Sequence, residues 1–156
     1  MSTVRVRYAG IATRALALAI DVVIAQVIVL TGAAVLGLVA SLVGELHLGP
    51  TGRWLAAAVW ALLIATYFVT FWSAAGQTPA MRMMGIRVTT DSGEIPGILR
   101  SIVRLIGLVL AIIPFFAGFL PVLVDDRRRA LQDMLAGTVV EHADPPGGPF
   151  VSAPAP

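Results

Sequence analysis

The stretch ALALAIDVVIAQVIVLTGAAVLGLVASLV, residues 15–43, places a single charged side chain, Asp21, inside an otherwise mostly apolar run. Two more apolar stretches follow, at residues 54–72 and 105–124. Each approaches or exceeds the roughly 20 residues that a helix needs to cross a hydrocarbon layer of about 30 Å. The composition agrees, because a chain with 58% hydrophobic and 13% charged residues is too apolar for an ordinary water-soluble domain. The pattern predicts an all-α membrane protein.

The third apolar stretch differs from the first two because prolines interrupt it. Residues 100–113 would form a helix of about 21 Å, too short to cross, and Pro114, Gly118 and Pro121 break the segment beyond it. The stretch is therefore either a re-entrant hairpin, which we favour, or a single kinked crossing. The predicted fold has two transmembrane helices plus this third, proline-broken membrane segment.

The distribution of arginine predicts the orientation of the chain. All eleven basic residues are arginines, and the loop 44–53 has only Arg53, which Glu45 offsets. Basic residues close to membrane segments stay on the cytoplasmic side. The bias therefore puts the N-terminus and residues 74–104 in the cytoplasm, and the hairpin would bring the C-terminus there as well. The arginines that decide this are Arg5, Arg7, Arg14, Arg82, Arg87, Arg100 and Arg104.

The segment GQTPAMRMMGIRV, residues 76–88, has the signals of a short helix followed by a strand. Thr78 suits an N-cap, Pro79 suits the first helical position, and Gly85 suits the stop. Residues 86–90 then alternate as a short strand. The interfacial motif that this predicts consists of Gly76, Gln77, Thr78, Pro79, Arg82 and Gly85.

The segment RRRALQDMLAGTVVEH, residues 127–142, repeats this order. It predicts a short helix over residues 127–135, a stop at Gly137 and a strand over residues 138–141. We expect both short helices to be cytoplasmic and interfacial, and the two strands to pair if they lie on the same side. Residues 1–142 then form one membrane domain, and the proline-rich tail 143–156 is predicted to be disordered.

Asp21 needs partners if it is ionised inside the membrane. It follows Arg14 by seven residues, about two helical turns, so the two share a face roughly 10 Å apart along the axis. Arg100 and Arg104 are further candidates, because residues four apart share a helix face. The predicted intramembrane charged cluster of Arg14, Asp21, Arg100 and Arg104 either binds an ion, a proton or an anionic headgroup, or locks helices together through ion pairs. For Asp133, the plain alternative to a functional role is a solvated charge or a helix cap near the membrane surface.

Four segments, TRALALAID, GQTPAMRMMGIRV, LRSIVRL and RRRALQDMLAGTVV, resemble in this order the RDD family of small bacterial membrane proteins, which is named for one arginine and two aspartates. The resemblance extends from about Ala9 to Glu141. By match to the motif, the arginine is Arg14 and the aspartates are Asp21 and Asp133. The resemblance implies a polytopic inner-membrane protein whose biochemical role is mostly unassigned, with ion or proton-coupled transport proposed for some members.

Three classes of function are compatible with these features. The favoured one is a partner or assembly component of a membrane complex, which would use the small-residue stripe Ala33, Gly37 and Ser41 to approach another helix. The second is an ion or proton-coupled transporter or exchanger, which would act as an oligomer with Asp21 as the titrating group. An enzyme is the least expected, because the sequence shows no phosphate-binding loop and no serine with an evident base.

The sequence also predicts the kinds of partner. We expect no cofactor and no metal site, because there is no cysteine and the two histidines, His47 and His142, are far apart. The cluster Arg127, Arg128 and Arg129 lies beside a membrane segment, where it is expected to meet anionic lipid headgroups rather than nucleic acid. Two helices and a broken segment hardly enclose a pathway, so we expect a homo- or hetero-oligomer.

Overall fold

The fold is described by a computed structural model that covers residues 8–43, 49–113, 118 and 120–143. The predictions for Pro114, for the loop 44–48 and for the tail beyond residue 143 lie outside these residues. In chain order the elements are α1 (Ile11–Val43), α2 (Pro50–Ala75), α3 (Pro79–Met83), β1 (Ile86–Thr90), α4 (Ile98–Ile112), α5 (Pro121–Val124), α6 (Leu131–Ala136) and β2 (Thr138–His142).

The two long helices confirm the first two predicted ones. Both α1 and α2 are long and apolar enough to cross a membrane. α2 begins with Pro50 in its first turn and ends at Gly76, whose φ of 64° and N–H bond to the Trp72 carbonyl close the helix in a left-handed cap. No residue of α1 between 26 and 42, and none of α2 between 50 and 67, is buried. The two helices therefore bury side chains within the protein only near one end.

The segment between α2 and β1 folds back on itself through the predicted motif. Thr78 caps α3 by accepting a hydrogen bond from the Met81 N–H at 3.3 Å, and Pro79 occupies the first turn. Gln77 Nε2 donates to the Ile86 carbonyl at 3.0 Å. Gly85 adopts φ 62° between α3 and β1, a left-handed conformation that favours glycine. The helix and strand predicted here are confirmed to within one residue.

The two strands pair antiparallel, with Val88 opposite Val140 at the centre of the register. This pairing confirms the predicted small sheet, although β2 is one residue longer than expected. Tyr8 extends it through a single bridge to Glu141. The residues that precede α1, follow α2 and follow α6 thus meet at one place. We call the part of the molecule that holds β1, β2, α3 and α6 the sheet end.

α4 carries its polar residues inward. Its buried positions recur every three or four residues, at Ser101, Arg104, Gly107, Leu108 and Ala111, and so share one face. At Gly107 a Cβ would lie only 2.7 Å from the Gln132 Cα, so a glycine allows α6 to pack closely against α4. Its opposite face leaves isoleucine, leucine and valine exposed.

The chain reverses after α4 and returns to the sheet end. A Cβ at Gly118 would collide with the Ala111 Cβ, so Gly118 packs directly on α4. α5 follows, with Pro121 in its first turn. α6 begins at Leu131 rather than at residue 127, because Arg128 has φ 50° and its N–H donates to the Asp125 carbonyl at 2.8 Å in a turn. The stop at Gly137, with φ 60°, is confirmed.

Candidate functional site: two buried carboxylates at the sheet end

Asp133 is the centre of a buried ionic cluster. Its Oδ2 accepts a hydrogen bond from Arg14 Nη1, and its Oδ1 accepts one from Arg104 Nη1. The Ala130 N–H donates to the same Oδ2 at 3.0 Å, which is the bond that a residue in the third helical position makes to the residue capping its helix. The Asp133 side chain is 0% exposed, and the two arginines are 5% and 4% exposed. The cluster is therefore isolated from water.

Arg14 connects the start of α1 to both the sheet and α6. Its Nε donates to the Ala9 carbonyl at 3.1 Å, and its Nη2 donates to the Val140 carbonyl at 3.3 Å. The Ala9 N–H reaches the same Val140 carbonyl at 3.0 Å. With Nη1 on Asp133, one guanidinium group joins three segments that are distant in sequence. This multiple bonding uses the fork of donors that only arginine provides.

Arg104 enters the cluster from α4. Its Nη1 also donates to Thr138 Oγ1 at 3.0 Å, which links the helix to the first residue of β2. Its guanidinium carbon lies 5.0 Å from the centroid of the Trp72 ring, within the range of a cation–π interaction. Trp72 is 2% exposed, so its indole covers the cluster on the side of α2. The cluster as a whole holds two guanidinium groups and one carboxylate, an excess of one positive charge.

Asp21 occupies a second, separate site. Its Oδ1 accepts hydrogen bonds from Tyr67 Oη at 3.0 Å and from the Ala80 N–H at 3.1 Å, and its Oδ2 accepts one from Thr78 Oγ1. The side chain is 1% exposed. Asp21 therefore holds the first turn of α3 against α1 and α2. All three donors are neutral groups.

The structure divides the predicted charged cluster between these two sites. Arg14 and Arg104, which we expected beside Asp21, bind Asp133 instead, so this expectation is corrected. The reason is that helical side chains point toward the helix N-terminus, so Arg14 reaches away from Asp21 and into the sheet end. Arg100 is exposed and donates from Nη1 to the Gly137 carbonyl at 3.0 Å, on the same side of α4 as Arg104 but outside the cluster.

Asp133 meets one part of the plain expectation and contradicts the other. It is fully buried rather than solvated, although it does cap α6. In the interfacial motif, Gly76, Gln77, Thr78, Pro79 and Gly85 have the backbone and capping roles described above. Arg82 is exposed on α3.

The arginine triplet lies in the turn before α6. Arg129 donates from its backbone N–H and its side chain to the Asp125 carboxylate at 3.0–3.1 Å. Hydrogen bonding from the Arg129 side chain, followed by that from its backbone, lowers the pKa of Asp125 to about 2, and the same carboxylate raises the pKa of Arg129. Arg127 Nη1 pairs with Asp91 Oδ1 at 3.2 Å on the surface.

Sequence reasoning missed three contributors to these sites, namely Tyr67, Trp72 and Thr138. Aromatic residues near the end of a membrane helix are ordinarily attributed to the lipid interface. A depth count would have found Tyr67: Asp21 lies about 15 Å from the start of α1 and Tyr67 about 12 Å from the end of α2, so both lie at one depth. The contacts of Trp72 and Thr138 with Arg104 depend on how α4 packs, and no local sequence pattern predicts that packing.

A third polar contact lies away from the sheet end. Trp60 Nε1 on α2 donates to Gln26 Oε1 on α1 at 3.2 Å, at an exposed position between the two long helices. Among the described residues, no group of three or more histidine, cysteine, aspartate or glutamate side chains is placed to hold a metal ion.

The two long apolar helices, closed at one end by a buried arginine–aspartate cluster, fit an integral membrane protein. A family model described as RDD family matches residues 8–137, and the chain belongs to that family. The match contains Arg14, Asp21 and Asp133, so the resemblance noted from the sequence is confirmed. A comparison with curated proteins and one with solved structures each gave no match.

Proposed function

We propose that this protein is a multi-pass protein of the bacterial cytoplasmic membrane that acts as a partner or assembly component of a membrane complex and catalyses no reaction. The observation that carries the proposal is the unburied length of α1 and α2, where residues 26–42 and 50–67 contain no buried position. Both buried carboxylates, by contrast, are fully engaged in holding the sheet end together. The sheet end is thus the part that internal contacts hold together, and the long helices are the surface that meets other molecules.

The polar pair Gln26–Trp60 supports a role for that surface. An amide and an indole exposed within a membrane helix pair are costly in lipid unless they are hydrogen-bonded, and such groups join membrane helices. The small-residue stripe of Ala33, Gly37 and Ser41 is exposed on the same helix as Gln26. A neighbouring helix that packs along α1 would cover both features.

The paired strands support the proposed topology. Because β1 and β2 lie side by side, the chain between them must leave and re-enter the same side of the membrane, or stay on it. α4 has 15 residues and is about 22 Å long, and Gly118 packs back on it, as a re-entrant hairpin requires. The N-terminus, the sheet end and the C-terminus are then cytoplasmic, and residues 44–53 lie outside.

Cysteine labelling tests this topology, because the native chain has no cysteine. In intact cells a membrane-impermeant maleimide should fail to label Ala143→Cys and should label Gly49→Cys. In inverted vesicles the pattern should reverse. Labelling of Ala143→Cys from outside would contradict the hairpin.

Assembly is tested on the full-length protein in a mild detergent. Gly37→Leu places a bulky side chain in the stripe, whereas Gly32→Leu places the same side chain on another face of α1, and neither position has a neighbour within 4 Å. We expect Gly37→Leu to reduce the fraction of protein in a larger assembly and Gly32→Leu to leave it unchanged, as measured by light scattering and by recovery of a stable partner. A protein that is monomeric and recovers no partner would contradict the proposal.

A second candidate function is ion or proton-coupled exchange by an oligomer. The observation that favours it is that the described hydrogen bonds to Asp21 all come from neutral groups. Protonation of Asp21 would therefore leave no arginine without its counter-charge. Purified protein in liposomes under a pH gradient tests it. Flux that survives Asp21→Asn would exclude this carboxylate as the exchanging group, and absence of flux from the native protein would exclude the function.

A further inference from the structure

We infer that Arg128 is the anchor of a binding site for the phosphate of an anionic phospholipid, an inference that rests on the proposed membrane location. The argument begins with the charge pairs of the arginine triplet. Arg127 pairs with Asp91 and Arg129 pairs with Asp125. Among the described residues, no carboxylate pairs with Arg128. The middle arginine is therefore the one whose donors are available to an external anion.

The backbone presents Arg128 in a fixed direction. Its φ is 50°, a conformation that residues with a side chain rarely adopt. Two hydrogen bonds to Asp125 stabilise this turn, one from the Arg128 N–H to the carbonyl at 2.8 Å and one from the Arg129 N–H to the carboxylate at 3.0 Å. The neighbouring arginine thus neutralises Asp125, while the same aspartate fixes the backbone of Arg128. A backbone strained in this way is frequent at binding sites.

Arg128 lies beside the buried cluster, which has an excess of one positive charge. Its Nη1 lies 3.7 Å from the position that a Cβ would take at Gly10, next to the backbone that Arg14 binds. The buried cluster behind it has two guanidinium groups for one carboxylate. In the low dielectric of a membrane interface this excess charge is poorly screened. An anion beside Arg128 would compensate it.

The chain just before the triplet indicates that this anion belongs to a lipid. Leu120 and Leu123 are 59% and 67% exposed, and they precede Arg127 by only a few residues. An exposed apolar surface that borders arginines matches a phospholipid, whose acyl chains and phosphate would contact the two parts together. The planar guanidinium group can bind two phosphate oxygens at once, so an arginine suits a phosphate better than a single point charge does.

The test measures lipid binding by native mass spectrometry of the full-length protein in detergent. Phosphatidylglycerol and phosphatidylcholine with identical acyl chains are the two probes. Arg128→Asn should weaken the binding of phosphatidylglycerol about fivefold, the effect of roughly one basic residue near a membrane surface, and leave phosphatidylcholine unchanged. Asparagine tolerates a positive φ, so the variant is expected to fold. Arg128→Gly, which suits the backbone even better, should give the same loss.

Arg82→Gln is the matched control, because it removes another exposed arginine from the same end of the protein. We expect it to change phosphatidylglycerol binding less than twofold. Native binding by either Arg128 variant, or an equal loss with Arg82→Gln, would overturn the site, and so would displacement of the lipid by inorganic phosphate. Membrane extraction with carbonate separates the two proposals: a protein that leaves the membrane contradicts the proposed function, whereas an inserted protein without preference for phosphatidylglycerol contradicts only this inference.

Discussion

Removing the charge of Asp133 should destabilise the protein more than any other single change at its sheet end. Asp133→Asn keeps an oxygen for the Ala130 N–H but leaves Arg14 and Arg104, which are 5% and 4% exposed, without a counter-charge. The same oxygen can still accept from Arg14 Nη1, but only as a neutral acceptor, whereas the new amide NH2 faces Arg104 Nη1, so one charge-assisted hydrogen bond worth about 1.5–3 kcal/mol is lost and a second is weakened. Breaking one side of a buried ion pair costs roughly 3–5 kcal/mol. We therefore expect the free energy of unfolding to fall by about 4 kcal/mol.

The assay is reversible unfolding of purified protein in mixed micelles, with the yield of folded protein as a second readout. Arg14→Gln combined with Asp133→Asn should cost less than the two single changes added together, by at least about 1.5 kcal/mol, because it removes one of the two stranded cations. The control is Arg127→Gln with Asp91→Asn, which deletes an ion pair whose partners are 54% and 48% exposed. It should change stability by less than about 0.5 kcal/mol.

A loss of less than about 1 kcal/mol in Asp133→Asn would refute this reasoning, because it would mean that the two guanidinium groups find water or other partners at no cost. Strict additivity of the double substitution would refute the cluster as a unit, even if each single change were destabilising.

Two further predictions concern the backbone and pH. Gly76→Ala and Gly85→Ala both force a side chain into a positive φ, 64° and 62°. Only at Gly76 would the new Cβ lie 2.6 Å from the Val88 carbonyl oxygen. Gly76→Ala should therefore lower the free energy of unfolding by about 1–3 kcal/mol more than Gly85→Ala does. Equal losses would contradict the close approach. The pKa of Asp125 is about 2 when folded, below its ordinary value of about 3.9, so its stabilising effect is complete above pH 4 and disappears as the pH falls toward 2. The difference in melting temperature between the native protein and Asp125→Asn should therefore shrink over that interval; a constant difference would contradict the assignment.

Local signals in the sequence were sufficient for the elements of the sheet end. The Thr-Pro pair at residues 78–79 and the glycines at 85 and 137 act within one turn of chain, so their effect does not depend on distant residues. The strands could be expected to pair because residues 76–90 and 127–142 share one order of elements, a short helix, a glycine and a strand. The register of that pairing, with Val88 opposite Val140, came only from the structure.

The partners of the charged residues could not be read from spacing alone. A separation of seven residues places Arg14 and Asp21 on one helix face, but the direction of the side chains sends one to the sheet and the other to α3. The start of α6 was misjudged for a related reason. A run of arginines favours a helix by propensity, yet the hydrogen bonds to Asp125 hold Arg128 in a left-handed turn.

The bond between Arg14 and Asp133 can form only late in the synthesis of the chain. Its two residues are 119 positions apart, so the ribosome delivers the cation long before the anion that neutralises it. During that interval both long helices can insert while the guanidinium group remains hydrated at the membrane surface. Contacts between distant parts of a chain form late and slowly. The sheet end therefore closes only after β2 has been made, and a chain that stops before Asp133 leaves Arg14 without its counter-charge.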